Sequence, residues 1–174
     1  MNFEQLKIDL EEACEKCFTA LRAKYTNEMI CGYALYSDAG AMSISPALNS
    51  KRHLEEVCSD DPGDAIYYKW SPGEWAYEFD GAEFFEEISI SLREEINKLD
   101  GQNQFSEFRA NVYEACVASL EGLLNRGFFA QDSEDNIIVF TISDADEPEN
   151  EIKWIKRLNG KKQSSEFAGW VRSL

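Results

Sequence analysis

Histidine is almost absent, with His53 the single one in 174 residues. Structural zinc needs four Cys or His ligands, and a Cys–His nucleophile needs an imidazole within reach, so both chemistries start from scarce material. The five cysteines (Cys14, Cys17, Cys31, Cys58 and Cys116) are an odd set with irregular spacing, which does not make a disulfide framework. Long apolar runs are also missing. The longest, such as Ile137-Ile138-Val139-Phe140, falls far short of the roughly 20 residues that span a bilayer. The opening Met1-Asn2-Phe3-Glu4-Gln5-Leu6-Lys7 leads to Glu11-Glu12 and contains no signal-peptide core. These absences lead to an expectation of a cytoplasmic protein with reduced thiols.

Recognised catalytic signatures are lacking too. There is no Gly-x-Gly-x-x-Gly, no Walker-type loop, no Gly-x-Ser-x-Gly elbow and no His-Glu-x-x-His, which takes nucleotide-dependent enzymes and zinc proteases out of easy contention. Cations are few: 17 Lys and Arg against 33 Asp and Glu, a net charge of −16. The deficit is uneven. Residues 151–174 hold six Lys/Arg and two Glu, a net of +4, which leaves −20 on residues 1–150. Such a body repels phosphate backbones and disfavours nucleic acid; it favours solubility and a basic protein partner.

What is present is enough to fold. Hydrophobic residues make up 44% and aromatics 13%, a pairing that disordered chains lack. Apolar residues at three- and four-residue steps from Phe3 to Tyr25 predict a first helix, with Cys14 and Cys17 on its apolar stripe. Glu28–Ser37 is apolar on both faces and reads as an interior strand. Asp38-Ala39-Gly40 turns the chain into a second strand, Ala41–Ser45, stopped by Pro46. Asn49 or Ser50 caps a short helix with Leu54, Val57 and Cys58, and Ala65–Trp70 reads as a third strand. Ser71-Pro72-Gly73-Glu74 has the form of a capping box with Pro at the first helical position.

Two longer helices follow, one from Phe84 to Leu99 and one over Phe105–Asn125 that carries two apolar stripes. Phe128-Phe129-Ala130 with Ile137–Ser143 reads as a second hairpin. A helix with Ile152, Ile155 and Leu158 ends at Asn159-Gly160, and Phe167, Trp170 and Val171 dock the segment 161–174. The expected fold is a single α+β domain over 1–174, with a largely antiparallel sheet of about five strands (two hairpins plus one strand) covered by helices.

Several clusters invite a chemical reading. Cys14-x-x-Cys17 lies mid-helix on an apolar stripe, so it reads as core packing rather than a redox or zinc pair. His53 reads as exposed, with Cys58 rotated off its helical face. The acid-rich stretch between Arg126 and Lys153 hints at calcium loops at Asp132 and Asp144, yet Ile137, Ser143 and Pro148 stand at positions that break the pattern. Asp146 with Glu149 instead has the spacing of a helix cap. No metal or cofactor is expected. The densest feature is Tyr67–Phe79, where six of thirteen residues are aromatic. Preorganised Trp and Tyr make good partner anchors, although Trp70 and Trp75 also suit a core. The candidate partner-binding surface is therefore Trp70, Pro72, Glu74, Trp75 and Tyr77 with the acids Asp144, Asp146 and Glu147.

The chain resembles an uncharacterised family, the domain of unknown function 4303. The likeness is carried by Gly32-Tyr33-Ala34-Leu35-Tyr36-Ser37-Asp38, Ala41-Met42-Ser43-Ile44-Ser45-Pro46-Ala47 and Tyr68-Lys69-Trp70-Ser71-Pro72-Gly73-Glu74-Trp75-Ala76-Tyr77-Glu78. Ile142-Ser143-Asp144-Ala145-Asp146-Glu147 and Lys156-Arg157-Leu158-Asn159 complete it. The resemblance implies a small bacterial cytosolic protein and carries over no catalytic residue; some members are similar to immunity proteins in size and acidity. Two functions follow as expectations. One is a non-enzymatic acidic binding protein, of immunity type, that neutralises a basic protein. The alternative is a small hydrolase or transferase with carboxylates as general acid and base. An enzyme should gather acids and aromatics in one pocket, whereas an inhibitor should spread them over an open face.

Overall fold

A computed structural model describes residues 1–131, 136–144 and 147–174. The order is α1 (Phe3–Lys24), β1 (Ile30–Ser37), β2 (Ile44–Ser50), α2 (Lys51–Asp60), α3 (Ala65–Trp70), β3 (Tyr77–Glu78), α4 (Glu86–Ile96), α5 (Gln102–Asn125), β4 (Ile137–Ile142), α6 (Pro148–Leu158) and α7 (Lys161–Val171). Short 3₁₀ turns fill Pro62–Asp64, Pro72–Glu74, Ala82–Phe85 and Phe128–Gln131. The fold is α+β.

Among the described residues one sheet of four strands runs β3-β2-β1-β4. β1 pairs antiparallel with β2 and parallel with β4, so the sheet is mixed rather than largely antiparallel. The interior position read for β1 holds. Successive side chains of a strand point to opposite faces, and here both faces are covered. Tyr33 and Leu35 join the larger core with α1, α4 and α5, while Ala34 and Tyr36 join a second core with Trp70, Trp75, Ile155 and Phe167.

Two expected strands are something else, and a third starts late. Ala65–Trp70 is helical, although Ile, Tyr and Trp favour strands. Ile66 and Trp70, four apart, share one helical face and both reach the second core. Phe128–Gln131 is a 3₁₀ turn after Gly127, which adopts φ +73°. Phe129 still reaches the core, 4.9 Å from the Tyr33 ring, but β4 pairs with β1 instead of forming a hairpin. The expected strand at Ala41 begins only at Ile44, because Ala41 has φ +53° in a turn held by Asp38. The Asp38 carboxylate accepts from Gly40 N (2.8 Å) and Ser43 Oγ (2.6 Å).

Pro46 does not stop β2, which continues to Ser50. A strand residue directs its N and O to the same side, and the Pro46 carbonyl accepts from Phe79 N at 3.2 Å. The missing donor therefore faces the two-residue strand β3, at the point where that strand ends. The outer edge of β4 is closed by the chain after α6: Asn159 pairs through Oδ1 with Ile138 N (2.9 Å) and through Nδ2 with Ile138 O (2.6 Å). This side-chain imitation of a strand protects an otherwise open edge.

The helices form largely as their patterns indicate. Asn2 caps α1 through its side chain, and Ser50 caps α2 by accepting from His53 N. α5 is buried on two sides, with Val112, Cys116 and Tyr113, Val117 all inside. The basic C-terminal part settles against acids: Arg157 bridges Glu114 (2.8 Å) and Glu121 (2.7 Å) of α5. α7 docks through Phe167, whose ring lies 5.0 Å from Trp70. Among the described residues no helix is long and apolar enough to cross a membrane.

Candidate functional site

A cavity of about 720 Å³ opens on the sheet face that carries the second core, at the carboxyl ends of the parallel neighbours β1 and β4. Parallel strands expose their C-terminal ends to one side, where chain crossings leave a crevice. Its floor comes from Tyr36 of β1 and Val139 and Thr141 of β4; its walls are Trp70 and Pro72 on one side and Phe167 and Trp170 of α7 on the other. Glu78 of β3 and Glu151 of α6 also line it, and among the described residues no Lys or Arg does.

Both carboxylates are anchored. Tyr36 Oη donates to Glu78 Oε1 at 3.1 Å, and Thr141 Oγ1 donates to Glu151 Oε1. Burial, then the Glu78 charge, pushes the Tyr36 phenol well above its ordinary range, so it remains a donor at every physiological pH. At the rim Tyr67 Oη donates to Glu74 Oε1 at 2.9 Å. Phe79 is 55% exposed and packs edge-on to Tyr36 at 5.4 Å, with φ +61°. A left-handed conformation is costly for a bulky residue and is held here by the turn between β3 and Ala82.

The expected partner surface is only partly a surface. Trp70 and Trp75 are 2% and 4% exposed, and Pro72 is buried. Both indoles fill the second core, where Trp75 lies on Gly32 and donates to Lys69 O at 3.2 Å. Two indoles at one bend can be buried because Gly32 leaves room above the sheet. Trp70 and Pro72 remain as cavity wall; Trp75 lies outside the lining. Glu74 is exposed, and Tyr77 stacks on Tyr25 at 3.6 Å. No capping box forms at Ser71, whose side chain makes no cap bond; Glu74 is engaged by Tyr67 instead.

Of the three acids, Asp144 is exposed and accepts from Ala39 N at 2.6 Å. Glu147 pairs with Arg109 at 2.9 Å. Asp146 lies outside the described residues, as do Asp132 and Glu134 and the Asp146 cap expected for α6. Asp144 and Glu147 are chain neighbours of Ser143 and Pro148, which line the cavity, but do not line it themselves.

Tyr36, Glu78, Glu151, Phe167 and Trp170 line the cavity without having stood out in the sequence as site residues. Phe167 and Trp170 are three apart on one helical face, and Tyr36 shares a strand face with Ala34, so periodicity held part of the signal. Glu78 and Glu151 are 73 positions apart, and nothing local joins them. His53 is half-buried rather than exposed, because the first turn of α2 packs beside the bend at Glu74; its Nε2 donates to Glu74 O at 2.9 Å.

Cys14 and Cys17 are fully buried, in agreement with the core reading. Burial, then the charges of Glu83 and Asp80, pushes the Cys17 thiol from 9.0 up to about 12. Burial also lifts Cys14 well above its ordinary value. The folded state therefore keeps these protons longer than the unfolded chain. Stability from this source is whole below about pH 9 and is lost as pH rises towards 12. The melting temperature should fall across that window, and less steeply in Cys17→Ala; equal slopes would show that Cys17 does not contribute. In the native protein a thiol reagent should reach the half-buried Cys31 and Cys58 well before Cys14, Cys17 and Cys116.

Among the described residues no group of three or more His, Cys, Asp or Glu is placed to hold a metal. Fold and site together define an α+β protein with a mixed four-stranded sheet and an acid- and aromatic-lined cavity at the ends of its parallel strands. The model of a family described as a domain of unknown function (DUF4303) matches residues 10–160. The chain belongs to that family. No curated protein matches it, and neither does any solved structure.

Proposed function

We propose that the protein is a non-enzymatic acidic binding protein whose partner is a basic protein, and that one Lys or Arg side chain of the partner enters the cavity at the ends of β1 and β4. The supporting observation is the lining: Glu78 and Glu151 stand among Tyr36, Trp70 and Trp170, and among the described residues no Lys or Arg lines the cavity with them. An ammonium or guanidinium gains charge-assisted hydrogen bonds from the carboxylates and cation–π attraction from the rings. The −20 carried by residues 1–150 steers such a partner from a distance. An immunity-type role, in which a basic toxin is held inactive, fits this charge and size.

A second reading has one observation in its favour, since the two carboxylates share one cavity. In it, Glu78 and Glu151 serve a small hydrolase or transferase as general acid and base.

Titration with short Arg- and Lys-containing peptides separates the cavity from the general acidity of the surface. Binding should weaken by about tenfold or more in Glu78→Gln/Glu151→Gln, given roughly 1.5–3 kcal/mol for a hydrogen bond to a charged group. Association should slow as salt rises, because screening acts over about 8 Å at physiological ionic strength. Unchanged affinity in the double variant would remove the cavity from the proposal. Turnover of a glycoside or ester panel that the same variant abolishes would favour the enzyme.

A further inference from the structure

A second cavity, of about 400 Å³, opens on the same face of the sheet at the opposite ends of β1 and β4. The contact of α3 with α7 stands between the two: Trp70 and Phe167 line the first cavity, while Lys69 and Glu166 line the second. Their charge is reversed. Three lysines from three helices reach the second cavity: Lys51 opens α2, Lys69 lies in α3, and Lys162 lies in the first turn of α7.

These lysines are unequally occupied. Lys69 is held by Glu166 at 2.6 Å, and Glu166 also accepts from Trp70 Nε1 at 2.9 Å. Burial raises the Glu166 carboxyl, but these two donors outweigh it and leave it below its ordinary value, so this pair is set. Lys51 lies 3.8 Å from Glu55, a loose contact. Lys162 has no ion pair among the described residues. Both ammonium groups are exposed, and Lys162, whose charge also helps hold Glu166 ionised, makes no direct ion pair with it.

The third donor is buried. Asn49 is 2% exposed, and its Oδ1 accepts from Ala76 N at 3.4 Å. This leaves the Nδ2 amide, without a hydrogen bond among the described residues, on the cavity wall. An amide N–H not engaged within the protein can donate to a ligand acceptor. The N-cap of α7 is Gly160, which supplies no side-chain acceptor, so the first-turn N–H groups beside Lys162 also favour an anion. Behind these donors the wall is apolar, made by Ile137, Gly32 and Leu54.

We propose that this cavity binds an organic monocarboxylate, with its carboxylate between Lys51, Lys162 and the Asn49 amide and its apolar body against Ile137 and Leu54. The same lining disfavours phosphate: Glu55 and Glu166 would repel a second negative charge, and the apolar wall offers phosphate oxygens no donor. The inference does not depend on the partner proposed for the first cavity.

Octanoate is a suitable probe, with octanol, octylamine and inorganic phosphate beside it. Calorimetric titration should show saturable binding of octanoate, at least tenfold tighter than octanol. Bound octanoate should slow alkylation of Cys31, whose side chain lies in the same cavity wall, as read by peptide mass spectrometry. Lys51→Gln/Lys162→Gln, at two exposed positions, should keep the wild-type melting temperature and lose about tenfold in octanoate affinity. Octanol binding as well as octanoate would overturn the proposal, as would phosphate binding more tightly. Unchanged affinity in the double variant, or Cys31 alkylation indifferent to octanoate, would do the same.

Discussion

Trp75→Ala should cost about 3–5 kcal/mol of stability, the range for removing a large buried aromatic. For a chain of this size that lowers the melting temperature by roughly 6–20 °C. The indole is 4% exposed and rests directly on Gly32: a Cβ built there would lie 2.9 Å from Trp75 Cη2. Nothing else on β1 can fill the space, so alanine leaves a cavity over bare backbone. Lys69 O also loses its donor. Trp75→Phe is a milder test, because it keeps much of the ring volume while removing the hydrogen bond and the far edge of the indole that rests on Gly32. A smaller loss, of about 1–3 kcal/mol, is expected for it. A Trp75→Ala protein that melts at the wild-type temperature would return the residue to the surface role that its aromatic neighbourhood suggested.

Gly81→Ala should be comparably damaging for a different reason. Gly81 adopts φ +87°, and a Cβ there would lie 2.5 Å from the Sγ of Cys17, which is fully buried in α1. The left-handed backbone costs a non-glycine residue about 1–2 kcal/mol, and overpacking a filled core adds about 1–3 kcal/mol. The two costs can be told apart. In Gly81→Ala/Cys17→Ala the clash is relieved and only the backbone cost remains, alongside the small cavity left by the sulfur. The two substitutions should therefore be strongly non-additive, the double variant being more stable than the sum of the single changes allows. Strict additivity, measured by denaturant unfolding, would show that the turn at Gly81 moves away from α1 instead.

These two positions show where the candidate site was legible. The aromatic run Tyr67–Phe79 was conspicuous in the sequence, and it does shape the cavity through Trp70, Pro72 and Glu78. Density of aromatics, however, does not say which rings face inward. That choice depends on Gly32, some forty positions away, whose missing side chain makes room for Trp75. The acids behaved likewise. Asp144 and Glu147 stood out as a cluster, yet they are engaged by Ala39 N and Arg109. The two carboxylates that line the cavity come from separate elements with ordinary neighbours in sequence.

What the sequence determined by itself were the features that repeat locally. The stripe of α1, the double stripe of α5, the two-faced strand β1 and the docking residue Phe167 follow from periods of 3.6 and 2 residues, which arise in backbone geometry and need no partner. The acidity of residues 1–150 and the basic segment after them are likewise composition alone. Only the tertiary structure decided the rest. Ile66 and Trp70 settled as a helix because one face had a core to enter. Phe128–Phe129 closed a turn because β4 found β1 as a parallel neighbour. Both cavities exist because α3 and α7 meet above the sheet through Trp70, Phe167 and the Lys69–Glu166 pair. Such choices rest on contacts between residues far apart in the chain, and their free energy is a property of the pair rather than of either segment.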